Sequence, residues 1–277
     1  MLLSILAVLL APGVPAESGV LLRHQFEIGQ SFTYEVSSAS ELMMQQGEAE
    51  QDLSHDSISR KTYRVVEQSD GGAVLELTID RVRMTANDPD GGKIVYDSTK
   101  EDVPTEFSHV AATIGPAVAR ITIDDRGRVV DVEDLLELGT SAEHFSRSNQ
   151  HTLIELPEER VSAGSSWKQK FEVVIQPDPE LPAKKPFQLM RVYTVRSISD
   201  GRVTIDWKSI ALTPLSDPAI EAQVAHMKLR GLIQFDLEAG RVTKRTGAVQ
   251  SQIVGFDGPQ SLLRKSVRVA ETLQTTK

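Results

Sequence analysis

The sequence predicts a mainly β protein, built as two related halves of long, curved antiparallel sheet (half-barrel or sandwich-like) with one or two short helices. Three observations carry this. Apolar residues recur at every second position through most of the chain, which lays them on one face of a strand and would scatter them around a helix. Three groups of residues recur in the same order about 130 positions later. The alternation also slips by one residue at matching places in both copies.

Residues 1–16, MLLSILAVLLAPGVPA, have the layout of a secretory signal peptide. Leu2 to Leu10 is apolar apart from Ser4, and is too short to span a bilayer. Pro12 and Gly13 break the run, and Val14 and Ala16 stand at the −3 and −1 positions of a cleavage site before Glu17. No Lys or Arg precedes the run, so either the amino group of Met1 supplies the positive charge or the true start lies upstream. A buried N-terminal strand is the alternative.

The first recurring group is EIGQSFTYEV (Glu27 to Val36) and SAGSSWKQKFEV (Ser162 to Val173), each a Gly-x-Ser-aromatic that becomes a strand, 135 residues apart from Gly29 to Gly164. The second pairs TYRVVEQSDGGAVLELTI with VYTVRSISDGRVTIDWKSI, matching Tyr63 with Tyr193, Val65 with Val195 and Ser69 with Ser199 at an offset of 130. Ser-Asp-Gly is turn chemistry between strands. The third pairs TIDDRGRVVDV (from Thr122) with QFDLEAGRVTKR (from Gln234), each ending in a Gly-Arg-Val that opens a strand. Three groups in one order predict an internal duplication.

The shared phase slip follows Leu75, Leu77 and Ile79, after which Val82 and Met84 take the other phase. In the second copy Val203, Ile205 and Trp207 give way to Ile210 and Leu212. A one-residue slip is the mark of a β-bulge, which bends a strand and tightens its twist. Two such sheets either face each other or continue one another.

Helical material is expected between the halves, over Val132 to His151 with Gly139 interrupting, and over Thr105 to Ala112 before Gly115-Pro116. Leu156-Pro157 with Glu158-Glu159-Arg160 is the expected linker, dividing the mature chain into a first β-rich half, 17–155, and a second, 156–277. Gln176 to Phe187 (QPDPELPAKKPF) is a loop too rich in Pro for a sheet interior, and Asn87 to Lys93 is its counterpart. Asp217-Pro218 starts a helix that must be short. The stripe Ala225, Met227, Leu229, Gly231, Ile233, Phe235 and Leu237 behind it has strand periodicity.

Composition narrows the function. The 277 residues are 40% apolar and carry a net charge of −9. An acidic body repels nucleic-acid phosphates and anionic membranes. With no Cys, the chain has neither disulfides nor a site for a lipid anchor, so its stability comes from its core and sheet. No later segment is apolar enough to hold the mature chain in a membrane.

The candidate chemistry is sparse. His24, His55, His109, His144, His151 and His226 include no pair two, three or four residues apart, so no short-range metal motif exists. Gly29-Gln30-Ser31 and Gly164-Ser165-Ser166 lack the closing Gly of a nucleophile elbow. Asp88-Pro89-Asp90-Gly91 and Asp124-Asp125 have the pattern of Asx-type turns rather than of a calcium loop. No nucleotide-binding glycine motif occurs, and no cofactor is expected. Trp167 and Trp207 are read as core. Leu42, Met43 and Met44 must face both sides of a strand, as must the stretch from Val173 to Ile175, and flexible Met suits an adaptable apolar surface.

Four stretches, FEIGQSFTYEV, VYDSTKEDVPTEF (Val95 to Phe107), ITIDDRGRVVDVE (Ile121 to Glu133) and LPEERVSAGSSW (Leu156 to Trp167), resemble a group of exported β-rich bacterial proteins found notably in planctomycetes. The resemblance implies a secreted or periplasmic protein of two related halves, and transfers no catalytic residue. In outline the chain is also similar to the half-barrel lipoprotein carriers of bacterial envelopes, whose curved sheet encloses lipid, but it lacks their anchoring Cys.

The sequence therefore points to an exported, periplasmic or extracellular, non-enzymatic protein that binds an apolar small molecule or an envelope partner through a curved sheet. No catalytic, cofactor, metal or ligand residue is singled out. The alternatives are a scaffold module acting through sheet edges or the Pro-rich loop, and a hydrolase whose carboxylates the fold assembles.

Overall fold

The computed structural model describes residues 19–69, 71–87, 92–137, 153–175 and 185–274. The expected signal peptide, the acidic turn at 88–90, the helical stretch from 138 to 151 and the Pro-rich residues 176–184 lie outside the described residues.

The first half contributes β1 (Ser31–Gln46), β2 (Ala49–Ser69), β3 (Gly72–Asn87), β4 (Lys93–Asp97), β5 (Ala117–Asp124) and β6 (Val129–Asp134). A 3₁₀ turn, Thr105–Phe107, and a single helical turn α1 (Ser108–Ala111) sit before β5, where a short helix is expected. The second half contributes β7 (Ser166–Ile175), β8 (Lys185–Ser199), β9 (Arg202–Ala211), α2 (Pro218–Val224), β10 (Arg230–Asp236), β11 (Arg241–Val254) and β12 (Ser261–Gln274). All twelve strands join one open antiparallel sheet, in the order β6-β5-β3-β2-β1-β12-β11-β10-β9-β8-β7, with β4 beside β3. The two halves thus continue one another.

Three expectations change. Val132 to Asp134 finish β6 rather than start a helix, because their alternation pairs them with β5. Ala225–Met227 is a 3₁₀ turn, so the stripe becomes strand only at Arg230. Asp217 caps α2 by accepting from the Ala219 N–H at 2.8 Å, with Pro218 in its first turn, and the helical winding runs on past Val224. Of the stretch expected to be a linker, Leu156 and Pro157 are buried and only Glu158, Glu159 and Arg160 are exposed.

Each half is a five-strand meander, β1-β2-β3-β5-β6 and β7-β8-β9-β10-β11, laid in the same sense with β12 between them. Their hydrogen bonds match. The Gly29 N–H donates to Val65 O and the Val65 N–H to Gln30 O, both at 2.9 Å; the Gly164 N–H donates to Val195 O and the Val195 N–H to Ser165 O, both at 2.8 Å. Both glycines have positive φ, 81° and 88°, so each recurring Gly-x-Ser is the entry turn of a first strand. In register, Phe32-Tyr63-Leu77 corresponds to Trp167-Tyr193-Trp207. The leading ring pairs stack alike, at 5.5 Å and 13° in one half and 5.1 Å and 16° in the other.

The bulges match too, though not where alternation places them. Register shifts leave Val66 of β2 and Arg196 of β8 unpaired, 130 residues apart, and Val130 of β6 and Thr243 of β11 form a second equivalent pair. The slip in β3 is a real bulge at Asp80. That in β9 is not: Lys208, Ser209 and Ile210 stay in register with β8, and buried Ser209 simply takes an apolar position near the strand's end.

Apolar side chains of both meanders lie on one face, here the packed face. Two extended stretches cover it. One, entering β1, places Leu22 and Phe26; the other, entering β7, places Leu153, Ile154, Leu156 and Val161. They join through Val20 and Val161, whose N–H and carbonyl groups exchange bonds of 2.9 and 2.8 Å. The first also bonds both halves: the His24 N–H donates to Asp125 O at 2.8 Å and the Gln25 N–H to Gly240 O at 3.1 Å. Gly127 and Gly240 are equivalent and allow this approach, since a Cβ on Gly127 would lie 2.5 Å from His24 Nε2 and one on Gly240 2.5 Å from Gln25 Cγ.

His24 is buried at this crossing, its ring stacked on Phe26 at 5.9 Å and edge-on to Phe235 at 5.7 Å. Its Nε2 donates to Ile154 O at 3.1 Å, since a carbonyl only accepts. Burial lowers its pKa from 6.5 to about 4. The folded state therefore resists protonation while the unfolded chain accepts it, and stability present above pH 6.5 is lost as pH falls toward about 4. The loss from this residue amounts to roughly 3 kcal/mol. Urea denaturation across that range is expected to show the decline, and His24→Gln to flatten it. Tyr34→Phe removes the 2.6 Å bond from Tyr34 Oη to Val242 O, which links the halves. It is expected to lower the stability by about 1 kcal/mol with an unchanged denaturant slope.

Candidate functional site

Alternation that sends one set of side chains into the core sends the other to the opposite face of the sheet. Among the described residues every covering element, including α2 against Phe187 and Leu189 of β8, sits on the packed face. The second face is open. At its centre, where β2, β1, β12 and β11 run side by side, the residues in register are small or apolar. Ile58 lies opposite Ser37, Ser37 opposite Ala270, and Ala270 opposite Thr246. In the adjacent row Asp56 lies opposite Ala39, Ala39 opposite Arg268, and Arg268 opposite Ala248. Ile58, with 49% of its surface exposed, is a large apolar side chain in this polar row of positions.

Small floors between longer neighbours make concavities. One of about 580 Å³ is lined by Ala39, Ile58, Ala248 and Ala270, with Asp56 and Arg230. A second of about 530 Å³ shares Arg230, Ala248 and Arg268 with it. A third of about 600 Å³ shares Gln250, Ser251 and Ser266 with the second, and adds Glu41 and Met43 of β1 and Asp52 of β2. Because neighbours share walls, the three form one trough across the open face.

The charges along the trough are uneven. Glu41 is bound to Arg268 at 3.3 Å, and on β8 and β9 Arg196 holds Asp206 in a two-pronged ion pair. Glu41 and Asp52, the two acids of the third concavity, stand on different strands and in different rows. Among the described residues the acids of these three concavities are Glu41, Asp52 and Asp56, each in a different register row. Among the described residues no cluster of three potential metal ligands occurs.

The structure disperses the sequence candidates. His24 is buried, His55 is half-buried on β2, His109 is exposed on α1, and His226 is half-buried beside β11 and β12; His144 and His151 lie outside the described residues. Burial, with Lys265 nearby, lowers the His226 pKa from 6.5 to about 4. Trp167 and Trp207 are packed-face residues, their indole N–H groups donating to Glu155 O at 2.8 Å and Thr246 O at 2.9 Å. Asp124 closes an Asx turn, accepting from the N–H groups of Arg126 at 3.0 Å and Arg128 at 2.8 Å. Leu42 and Met44 pack under α2, while Met43 lines the trough, so the adjacent Met residues do serve both faces. Val173 and Ile175 are buried and Val174 is exposed on the other side. The trough itself is not singled out by the sequence, although Ser and Ala at polar positions of long strands are its only local trace.

No protein-family model matches the chain, and none of the curated proteins does. Among solved structures the sheet is similar to lipovitellin, described for its lipid–protein interactions, with a TM-score of 0.54 and 12% identity over 91% of this chain and 26% of that chain. The chain thus spans about a quarter of the lipovitellin chain it matches, and the likeness is one of fold. DynF from the dynemicin biosynthesis pathway of Micromonospora chersina is 10% identical, with a TM-score of 0.23 over 96% of this chain and 92% of that one. A DUF1329 family protein from Desulfovibrio piger is 9% identical, with a TM-score of 0.15 over 86% and 84%. TM-scores this low carry no argument. Among the described residues no helix is long and apolar enough to cross a membrane.

Proposed function

We propose that this protein is an exported, non-enzymatic binding protein that takes an apolar chain in the open-face trough, and that its halves, 17–155 and 156–277, arose by tandem duplication. The observation that carries this is the uncovered row Ile58-Ser37-Ala270, where small side chains leave a floor and an exposed Ile offers apolar contact. Each concavity is of the size that small-molecule sites occupy. The fold-level likeness to lipovitellin, with its lipid–protein interactions, agrees with an apolar ligand. Export rests on the signal-peptide layout of residues 1–16 and on the resemblance to exported bacterial β proteins.

The scaffold alternative uses sheet edges. Both outer strands are guarded: β6 carries Asp131 and Glu133, and β7 carries Lys168 and Lys170, the charges with which natural sheets prevent edge pairing. The trough is the better-supported surface.

Titration with monoolein, an uncharged single-chain lipid, is expected to show saturable binding. Ala270→Trp, which fills the floor from an open-face position, is expected to weaken it at least tenfold with an unchanged melting temperature. Equal binding by the variant would overturn the trough as the site. Expression of the full chain in a Gram-negative host is expected to yield periplasmic protein beginning at Glu17 by mass spectrometry; retention of residues 1–16 in the cytoplasm would overturn export.

A further inference from the structure

We infer that the trough selects an anionic amphiphile, a single-chain lipid with a carboxylate or phosphate head, and that the head sits over Ala248 between Arg230 and Arg268. This rests on the trough being the binding site. One register row crosses the open face from β7 to β2: Lys168, Val192, Lys208, Arg230, Ala248, Arg268, Ala39, Asp56. Four of its first six positions are cationic, in a chain whose net charge is −9. Basic composition does not account for that.

Lys208 and Arg230 are direct cross-strand neighbours, and like charges so placed repel. Neither side chain forms a hydrogen bond or ion pair among the described residues. Of the acids nearby, Asp206 is held by Arg196, and Glu41 reaches Arg268 of the seat itself in an exposed pair at 3.3 Å, which an anionic head would displace. A repulsive pair left uncompensated is the kind of local rule violation that functional sites show.

Ala248 supplies the seat. It lies in register with Arg230 on one side and Arg268 on the other, so the two arginines rise from strands about 10 Å apart with only a methyl group between them. Both line the concavity over Ala248, which contains Lys228 as well and no acid. Arginines converging from two sides match the donor geometry that carboxylate and phosphate oxygens take. From Ala248 the floor continues over Ala39 and Ala270 to Ile58, so a chain attached to the head has an apolar path.

The test compares oleate with monoolein, which share one acyl chain and differ in charge. Oleate is expected to bind at least tenfold tighter, with an advantage that shrinks as salt rises from 50 to 500 mM. Arg230→Gln with Arg268→Gln should bring oleate to the monoolein level and leave monoolein unchanged, while Arg202→Gln, elsewhere on the open face, should leave both unchanged. Equal affinities for the two lipids, or an oleate preference that survives the double substitution, would overturn the headgroup site while leaving the trough intact. Failure of both lipids to bind would overturn the trough and the headgroup site together. Inorganic phosphate competing as tightly as oleate would show a site for a free anion and overturn the amphiphile.

Discussion

The pairing of the first strand with the last holds this molecule together. β1 and β12 stay in register over fourteen residue pairs from Thr33 with Gln274 to Gln46 with Ser261, without a bulge. Were that ladder lost, each meander would expose a long central edge, and the continuous face bearing the trough would be cut in two. Side chains reinforce the join from the packed side. Tyr34 reaches past β12 to Val242 O, and Glu271 of β12 lies in register with Arg245 of β11. Burial lowers the pKa of Lys61 and brings that of Arg245 to about 10, while Glu271 opposes both shifts. Buried charge of this kind adds little net stability, because desolvation offsets attraction. It does penalise other registers, since a one-residue slip would separate Glu271 from its cations.

Two meanders of one plan build this large sheet. Each meander has its own entry turn, stacked aromatic pair and pair of bulges, and the second repeats the first with its strands in the same order. The repeats do not pack face to face. The stretches entering β1 and β7 cross the packed face of both halves and bond to turns of the opposite repeat, so the cover is shared. Among the described residues all cover lies on that one face. Nothing among the described residues covers the opposite face, and its shape follows from which side chains happen to be short: Ser37, Ala39, Ala248 and Ala270.

Much of this was legible in residue order, because strand periodicity, turn residues and entry glycines act locally. Phe32, Tyr34, Tyr63, Val65, Leu75 and Leu77 are buried as their alternation implies. Gly29 and Gly164 mark first-strand entries in both halves. The limits are equally specific. The slip at Ile210 looked like the slip at Asp80, yet only the latter is a bulge, because a bulge is decided by the neighbouring strand's register. Ala225 and Met227 had strand spacing but fell under the capped helix α2, whose winding continued through them.

What the sequence determined alone is the β class, the repeat, and which side chains face inward, since each depends on spacing along a single strand. What the tertiary structure decided is the order of strands, the β1–β12 junction, and the row that brings Lys208, Arg230, Ala248 and Arg268 together from four strands. Those residues are up to sixty positions apart, and each is unremarkable among its own neighbours. Only hydrogen-bond register between strands, which no local pattern encodes, sets them side by side.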